Sequence, residues 1–141
     1  MKFHYEDLST KRPFHDCETH PVGDGDELRQ IVDSFSNEPP RILKLKTSKF
    51  EVYFGVGTDP SFIECFNWET GQAKYPVPEN LLSNSNPPTF TSEFETLTPP
   101  ICVLWPFSDV WQIVEFLMLH DELPADYKWE LTPDWEVENA V

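Results

Sequence analysis

The segment Phe50–Val56 restricts the fold more than any other part of the sequence, because apolar residues occupy every second position in it. An extended backbone places these residues on one face of a sheet and Glu51, Tyr53 and Gly55 on the other. Strand character returns over residues 62–68, after a segment rich in residues that favour turns, Gly57-Thr58-Asp59-Pro60. The sequence therefore predicts two antiparallel strands joined by a short connection.

A nucleotide-binding loop is the alternative interpretation of Gly55-Val56-Gly57. A dinucleotide fingerprint needs a third glycine and a helix that begins at the loop. Here strand character follows the loop instead, and the lysine and the serine or threonine of a P-loop are missing. The hairpin is therefore the favoured prediction.

The remaining periodicity predicts two helices and several further strands. Asp24 is a candidate N-cap with Glu27 three residues later, and apolar residues at i, i+3, i+4 and i+7 continue this helix to near Asn37. The same spacing predicts a second helix that begins at a cap formed by Ser108 and ends before Pro124. Further strands are predicted at residues 41–47, 73–77, 90–95, 101–105 and 127–131, and the run 101–105 is expected to be buried on both faces.

This order of elements predicts an α+β fold. Consecutive strands with short connections imply an antiparallel sheet, which we expect to contain about five to six strands packed by two helices. The sheet and helices are expected to form a single domain over residues 23–141, which is long enough to bury a core. Residues 1–22 are polar and irregular and are predicted to form an N-terminal arm.

The net charge limits the partners of the chain. The 25 acidic residues exceed the 10 basic ones and give a formal charge of −15. Such a chain repels nucleic acids and anionic lipid surfaces, so neither is expected as a partner. It attracts basic proteins and speeds the encounter with them. The alternative is that the acidity only keeps the protein in solution.

The cysteines and the hydropathy predict a cytoplasmic protein. The three cysteines, Cys17, Cys65 and Cys102, are odd in number and widely spaced, which favours reduced thiols. Cys65 and Cys102 fall in apolar segments and are expected to be buried and inert. The first residues lack the apolar region of a signal peptide, and no apolar run is long enough to cross a membrane.

Motifs of catalysis are missing, and no catalytic residue or cofactor is predicted. The sequence lacks the His-x-Glu and Pro-Cys-x-x-Cys elements of a deaminase and the Gly-x-Ser-x-Gly of a hydrolase. The candidate metal ligands His4, His15, Cys17 and His20 lack the second ligand pair that zinc sites usually have. A solvated polar segment is therefore favoured over a small metal-dependent enzyme, and no metal site is predicted.

Acidic and aromatic residues that lie close together are the best candidates for a binding surface. Protein interfaces favour tryptophan and tyrosine anchors with charges at the rim. Glu64 and Trp68 would share one face of a regular strand, since they are separated by an even number of positions. The predicted partner-binding residues are Asp59, Glu64, Trp68, Glu69, Glu93 and Glu95.

Three groups of residues resemble a known family. They are Asp26-Glu27-Leu28 at the start of a short helix, Phe54-Gly55-Val56-Gly57 leading to Phe62-Ile63, and the late segment with Phe116, Leu117, Pro124 and Trp129. Over residues 24–131 the chain resembles the immunity proteins of bacterial polymorphic toxin systems known as Imm family one, which includes the immunity proteins of deaminase toxins. Relatives often carry a glycine at the end of the late helix, where this chain has His120-Asp121-Glu122.

The resemblance implies a protein that binds a co-produced toxin domain and blocks it at or beside its active site, without catalysis of its own. The expected toxin is a basic, nucleic-acid-targeting nuclease or deaminase, inhibited in the producing cell during bacterial competition. An acidic adaptor module for another basic protein is the alternative, and a metal-dependent enzyme is a weaker one. The oligomeric state is left open.

Overall fold

A computed structural model describes residues 3–7, 19–36, 38–80, 87–91 and 96–132, which form two α-helices and nine β-strands. The order along the chain is β1 (Phe3–Asp7), β2 (Thr19–Val22), α1 (Gly25–Asp33), β3 (Arg41–Lys46), β4 (Phe50–Val56), β5 (Ile63–Asn67), β6 (Gln72–Val77), β7 (Phe90–Thr91), β8 (Thr96–Leu97), a 3-10 turn (Ile101–Val103), α2 (Phe107–His120) and β9 (Lys128–Leu131).

Seven of the strands form the main sheet, in the order β2-β1-β3-β4-β5-β6-β9. Every neighbouring pair in this order is antiparallel. The short strands β7 and β8 lie off this path, and β7 adds to β3 in parallel through the pair Arg41 and Thr91. The single α+β domain with an antiparallel sheet and two helices is confirmed, and the sheet has more strands than the five to six expected.

The prediction of an N-terminal arm is wrong for the described part of residues 1–22. β1 pairs with β3, and β2 pairs with β1, so both strands belong to the main sheet. Phe3 and Val22 are buried in the same core as the central strands. Apolar burial at these two positions holds an otherwise polar segment against the domain.

Helix α1 begins as the sequence indicates. The Asp24 carboxylate accepts a hydrogen bond from the Glu27 backbone N–H at 2.9 Å, and Glu27 Oε2 accepts one from the Gly23 N–H at 3.0 Å. Leu28 and Val32 from its apolar face are buried. The helix ends at Asp33, earlier than the predicted end near Asn37, which lies outside the described residues.

Helix α2 is capped from another part of the chain, so the prediction of a Ser108 cap is wrong. Pro106 occupies the N-cap position and its side chain makes no capping bond. The carboxylate of Asp59, from the connection between β4 and β5, accepts a hydrogen bond from the Phe107 N–H at 3.0 Å. Ser108 is exposed in the first turn.

The C-terminal end of α2 contacts the turn between β3 and β4. Asp121 adopts the left-handed conformation with φ of 53° and is only 5% exposed. Its carboxylate accepts hydrogen bonds from Thr47 Oγ1 at 2.6 Å, from the Ser48 hydroxyl and from the Lys49 N–H at 3.4 Å. Asp121 therefore ties the helix to the central hairpin.

The two faces of the sheet have different cover. On one face, here called the helix face, alternate residues of the central strands pack with both helices in the main core. The opposite, open face is covered at one end by a smaller apolar layer built from β7, β8 and the 3-10 turn. The buried members of that layer are Ile42, Phe62, Phe90, Leu97, Val103 and Leu104.

This smaller layer explains two features of the sequence. Ile101–Val103, the first part of the apolar run 101–105, form a 3-10 turn rather than the predicted buried strand, and Trp105 at the end of the run makes an isolated β-bridge to Ser61. Gly55 lets the layer approach the sheet, because a Cβ atom there would lie 2.2 Å from the Phe90 ring. Burial in a covering layer thus replaces burial inside the sheet.

The hairpin of β4 and β5 is confirmed, since Phe54 pairs with Ile63 and Phe50 pairs with Asn67. Gly57 has a positive φ of 88°, which a glycine adopts at little cost in such a connection. In the described part of the chain, neither helix has the length and hydrophobicity that crossing a bilayer requires.

Candidate interaction site on the open face

A cleft of about 420 Å³ lies on the part of the open face next to the covered end. We call it the open-face cleft and define it by its lining residues, Glu51, Tyr53, Glu64, Phe66 and Trp68. The strand register brings these residues together, because Tyr53 is opposite Glu64 and Glu51 is opposite Phe66. Directly opposite residues of antiparallel strands share a face, so two carboxylates and two rings converge there.

Two aromatic rings form one wall of the cleft. The rings of Phe66 and Trp68 meet edge to face, with centroids 5.1 Å apart and planes at 88°. Trp68 is 56% exposed although it is among the largest apolar side chains of the domain. A tryptophan held by a neighbouring ring but open to solvent can bury a large area against a partner at little loss of side-chain entropy.

A network of charges lies beside the rings. Lys44 Nζ is 3.2 Å from Glu6 and 3.1 Å from Glu51, and Lys46 Nζ is 3.8 Å from Glu6. The hydroxyl of Tyr53 donates a hydrogen bond to Glu51 Oε1 at 3.1 Å. Glu6 and Glu51 are buried, so their pairing with Lys44 offsets the cost of removing two carboxylates from water.

The pKa values of two groups reflect the surrounding negative charge. Burial would lower the pKa of Lys44, but its contacts with Glu51 and Glu6 outweigh burial and raise it. Burial raises the pKa of Tyr53, and the negative charges of Glu51, Glu64 and Glu6 raise it further. Tyr53 therefore keeps its proton and remains a donor at neutral pH, while Lys44 remains charged.

The structure brings together only some of the predicted partner-binding residues. Glu64 and Trp68 line the cleft. Glu69 is exposed in the turn after Trp68, where its backbone N–H donates to Asn67 Oδ1. Asp59 lies before the first residue of β5, at the opposite end of the strand from Trp68, and its carboxylate caps α2. Glu93 and Glu95 lie outside the described residues.

Three of the lining residues, Glu51, Tyr53 and Phe66, were not predicted from the sequence. Each is an alternate position of the hairpin that the sequence analysis predicted. Their partners across the sheet could be assigned only once the register was known, because a shift of one residue would move them to the helix face. The signal that could have found them was the polar character of Glu51 and Glu64 on adjacent predicted strands.

The candidate metal ligands do not converge in the described part of the chain. His20 is opposite Tyr5 and stacks on its ring at 5.0 Å, whereas His4 is opposite Pro21. Successive positions of a strand alternate between faces, so His4 and His20 lie on opposite sides of the sheet. His15 and Cys17 lie outside the described residues, and no group of three metal-ligating side chains occurs within those described.

The described cysteines differ from each other. Cys65 is buried as predicted, and burial, followed by the charge of Glu64, raises the pKa of its thiol, which makes it a poor nucleophile. Cys102 is exposed in the 3-10 turn, so the prediction that it is buried in a strand is wrong. The physical reason is that the apolar run around it covers the sheet instead of entering it.

A second cavity, of about 640 Å³, lies beside α2 and is lined in part by Trp105, Tyr127 and Asp109. Two of its polar side chains are already hydrogen-bonded: Tyr127 donates to Asp109 at 3.2 Å, and Trp105 Nε1 donates to the Pro76 carbonyl at 2.8 Å. These contacts join the residue before β9 to α2, and the segment before α2 to β6. None of the four described partner-binding candidates lines this cavity, whereas two of them line the open-face cleft, which is therefore the better candidate site.

No family model matches the chain, and no curated protein is similar enough to it to be a relative. The resemblance to Imm family one therefore stays a prediction. The function has to be argued from the site itself.

Proposed function

We propose that this protein is an immunity protein that binds a cognate, basic, nucleic-acid-targeting toxin through its open-face cleft and occludes the active site of that toxin. The observation that carries the proposal is the convergence of an exposed tryptophan with two carboxylates, on a chain with a formal charge of −15. The protein acts in the producing cell by binding and transforms no substrate.

The aromatic wall would supply most of the affinity. Interface energy is concentrated in a few buried anchors, among which tryptophan and tyrosine are enriched. Trp68 is the largest such anchor at the cleft, and Phe66 holds its ring in place. Burial of the exposed part of Trp68 by a partner would remove apolar surface from water without reorganising the sheet.

The acidic surface would supply the speed and selectivity of binding. A toxin that acts on nucleic acid needs a basic surface for the phosphates of its substrate. Carboxylates at the cleft would stand where those phosphates bind, so the inhibitor and the substrate compete for the same cations. The resemblance to Imm family one supports this mode of inhibition.

The test is co-purification of the chain with the product of its neighbouring toxin gene, followed by an assay of toxin activity. Trp68→Ala should weaken binding by about thirtyfold or more, as expected for an anchor worth about 2 kcal/mol. Glu64→Lys should slow association and reduce its dependence on salt. Leu119→Ala and Glu122→Lys, at exposed positions of α2 and its end, are matched controls that should leave binding unchanged.

Two outcomes would contradict the proposal. Equal inhibition by the wild type and by the Trp68→Ala and Glu64→Lys variants would place the interface elsewhere. Binding of the partner without loss of the partner's activity would favour the adaptor module over the immunity protein.

A further inference from the structure

The open-face cleft combines aromatic rings and carboxylates in a way that the chain uses elsewhere to hold arginine. Both described arginines contact a ring and a carboxylate at once. The guanidinium of Arg29 lies 5.5 Å from the Phe107 ring and 5.2 Å from the Trp111 ring, and its Nε is 3.0 Å from Asp33.

Arg41 repeats the arrangement in another part of the fold. Its guanidinium lies 4.5 Å from the centre of the Phe35 ring and pairs with Glu38. The open-face cleft has the same two components, rings at Phe66 and Trp68 and carboxylates at Glu51 and Glu64. Among the residues that the structure describes, no arginine lines it.

We propose that the open-face cleft is a receptor for a single arginine side chain of the partner protein, stacked on Trp68 and paired with the cleft carboxylates. The inference deepens the proposed function by naming the chemical group that the partner inserts. The inference depends on the proposed immunity function only for the identity of the partner protein.

Glu51 gives the cleft a carboxylate that is fixed in position. Its side chain is 10% exposed, and its contacts with Lys44 and Tyr53 both use Oε1. A buried carboxylate gains more from an incoming cation than an exposed one, because less water competes for it.

Arginine suits this geometry better than the other groups a partner could present. Its planar guanidinium stacks on an aromatic ring and donates several hydrogen bonds in its plane, whereas the ammonium of lysine is a compact and strongly hydrated charge. An apolar side chain would remove the carboxylates from water without adding a positive charge beside them, and an anion would be repelled by them. Among the aromatic side chains, tryptophan makes the strongest cation–π interactions.

The test uses short capped peptides, Gly-Arg-Gly, Gly-Lys-Gly and the same peptide with citrulline, which has the shape of arginine without its charge. The readout is the NMR signal of the Trp68 indole N–H, assigned with a Trp68→Phe variant. The arginine peptide should shift this signal with saturation, and the lysine peptide should bind about threefold or more weakly. The citrulline peptide should give no saturable shift.

Variants test the role of the carboxylates. Glu64→Gln should weaken the arginine peptide about tenfold, since it removes a charge-assisted contact. Glu122→Gln removes the same charge from an exposed position just beyond the end of α2 and should change binding less than twofold. If Arg12 of the chain, outside the described residues, competed for the cleft, Arg12→Gln would tighten peptide binding and overturn the assignment to a partner.

The inference and the proposed function fail in different ways. A saturable response to the arginine peptide without any binding of the toxin would leave the receptor standing and refute the immunity role. Toxin binding with no response of Trp68 to arginine, or with equal responses to arginine and citrulline, would refute the receptor alone.

Discussion

Replacement of Asp121 should show that a residue in an unfavourable backbone conformation stabilises the fold through its side chain. A non-glycine residue in the left-handed region costs about 1 kcal/mol relative to glycine. Against this, the Asp121 carboxylate accepts bonds from Thr47, Ser48 and Lys49 in the β3–β4 turn. A hydrogen bond to a charged group contributes about 1.5–3 kcal/mol, although the bond at 3.4 Å from Lys49 is weak.

These magnitudes give an order of stability for three variants. Asp121→Gly loses the bonds but regains the conformational cost, so it should destabilise the fold by about 1–3 kcal/mol. Asp121→Ala loses the bonds and keeps that cost, so it should be about 1 kcal/mol less stable than the glycine variant. Asp121→Asn keeps a carbonyl oxygen and should be the most stable of the three.

Urea unfolding followed by tryptophan fluorescence measures this order, provided that the slope with urea is unchanged. Each variant also removes one negative charge from a chain with a formal charge of −15, which could stabilise it by reducing repulsion. Glu122→Gln, at the exposed next residue, removes the same charge and is the matched control. An Asp121→Gly variant as stable as that control would refute the argument that these bonds outweigh the backbone cost.

Three further predictions follow from packing and burial. Gly55→Ala should destabilise the fold by about 1–3 kcal/mol, because the added Cβ would overlap the buried Phe90 ring. Gly25→Ala should be tolerated, because the nearest atom to its added Cβ would be 3.8 Å away. Equal urea midpoints for the two variants would contradict this. Burial and Asp109 raise the pKa of Tyr127 to about 12 from its ordinary 10, so the stability that its neutral form contributes is complete below pH 10 and lost as the pH rises to 12. Between pH 10 and 12 the free energy of unfolding should therefore fall less steeply with pH for Tyr127→Phe than for the wild type. An equal pH dependence in the two proteins would contradict this. With the other two cysteines changed to serine, Cys65 should resist thiol reagents until the protein unfolds, and rapid labelling of the folded protein would show that its site opens.

The parts of the fold that the sequence predicted are those whose signals are local. The cap of α1 could be predicted because its two partners are close in sequence. The Asp24 carboxylate accepts a hydrogen bond from the backbone N–H of Glu27, three residues later. The alternation in β4 was visible because one face packs against the helices along the whole strand. The hairpin of β4 and β5 needs only a short connection, so its pairing was also predictable.

The parts that were missed depend on contacts between distant segments. β1 has alternating character at Phe3 and Tyr5, but its central partner β3 begins only at Arg41. The apolar run 101–105 is buried by covering the sheet, and composition does not distinguish this from burial inside the sheet. The cap of α2 comes from Asp59, 48 residues before Phe107, and no local pattern indicates it.

The candidate site shows the same division. Glu64 and Trp68 were predicted from the alternation within one strand, and the cleft contains both. The strand register places Glu51 beside them in the cleft. Asp59 does not line the cleft, and its carboxylate caps α2 instead. The sequence identified the types of residue that form the site, and pairing between strands decided which of them meet.

The order of the strands bears on how the domain assembles during synthesis. The centre of the sheet, β3 to β6, is an uninterrupted meander contained in residues 41–77, whereas its two margins come from the earliest described strands and from β9, the last. Closing neighbouring strands costs little chain entropy, so this centre can pair before β9 has been synthesised. The residues that line the cleft all lie within residues 41–77, so the binding surface would take shape early, while α2 is still to be translated.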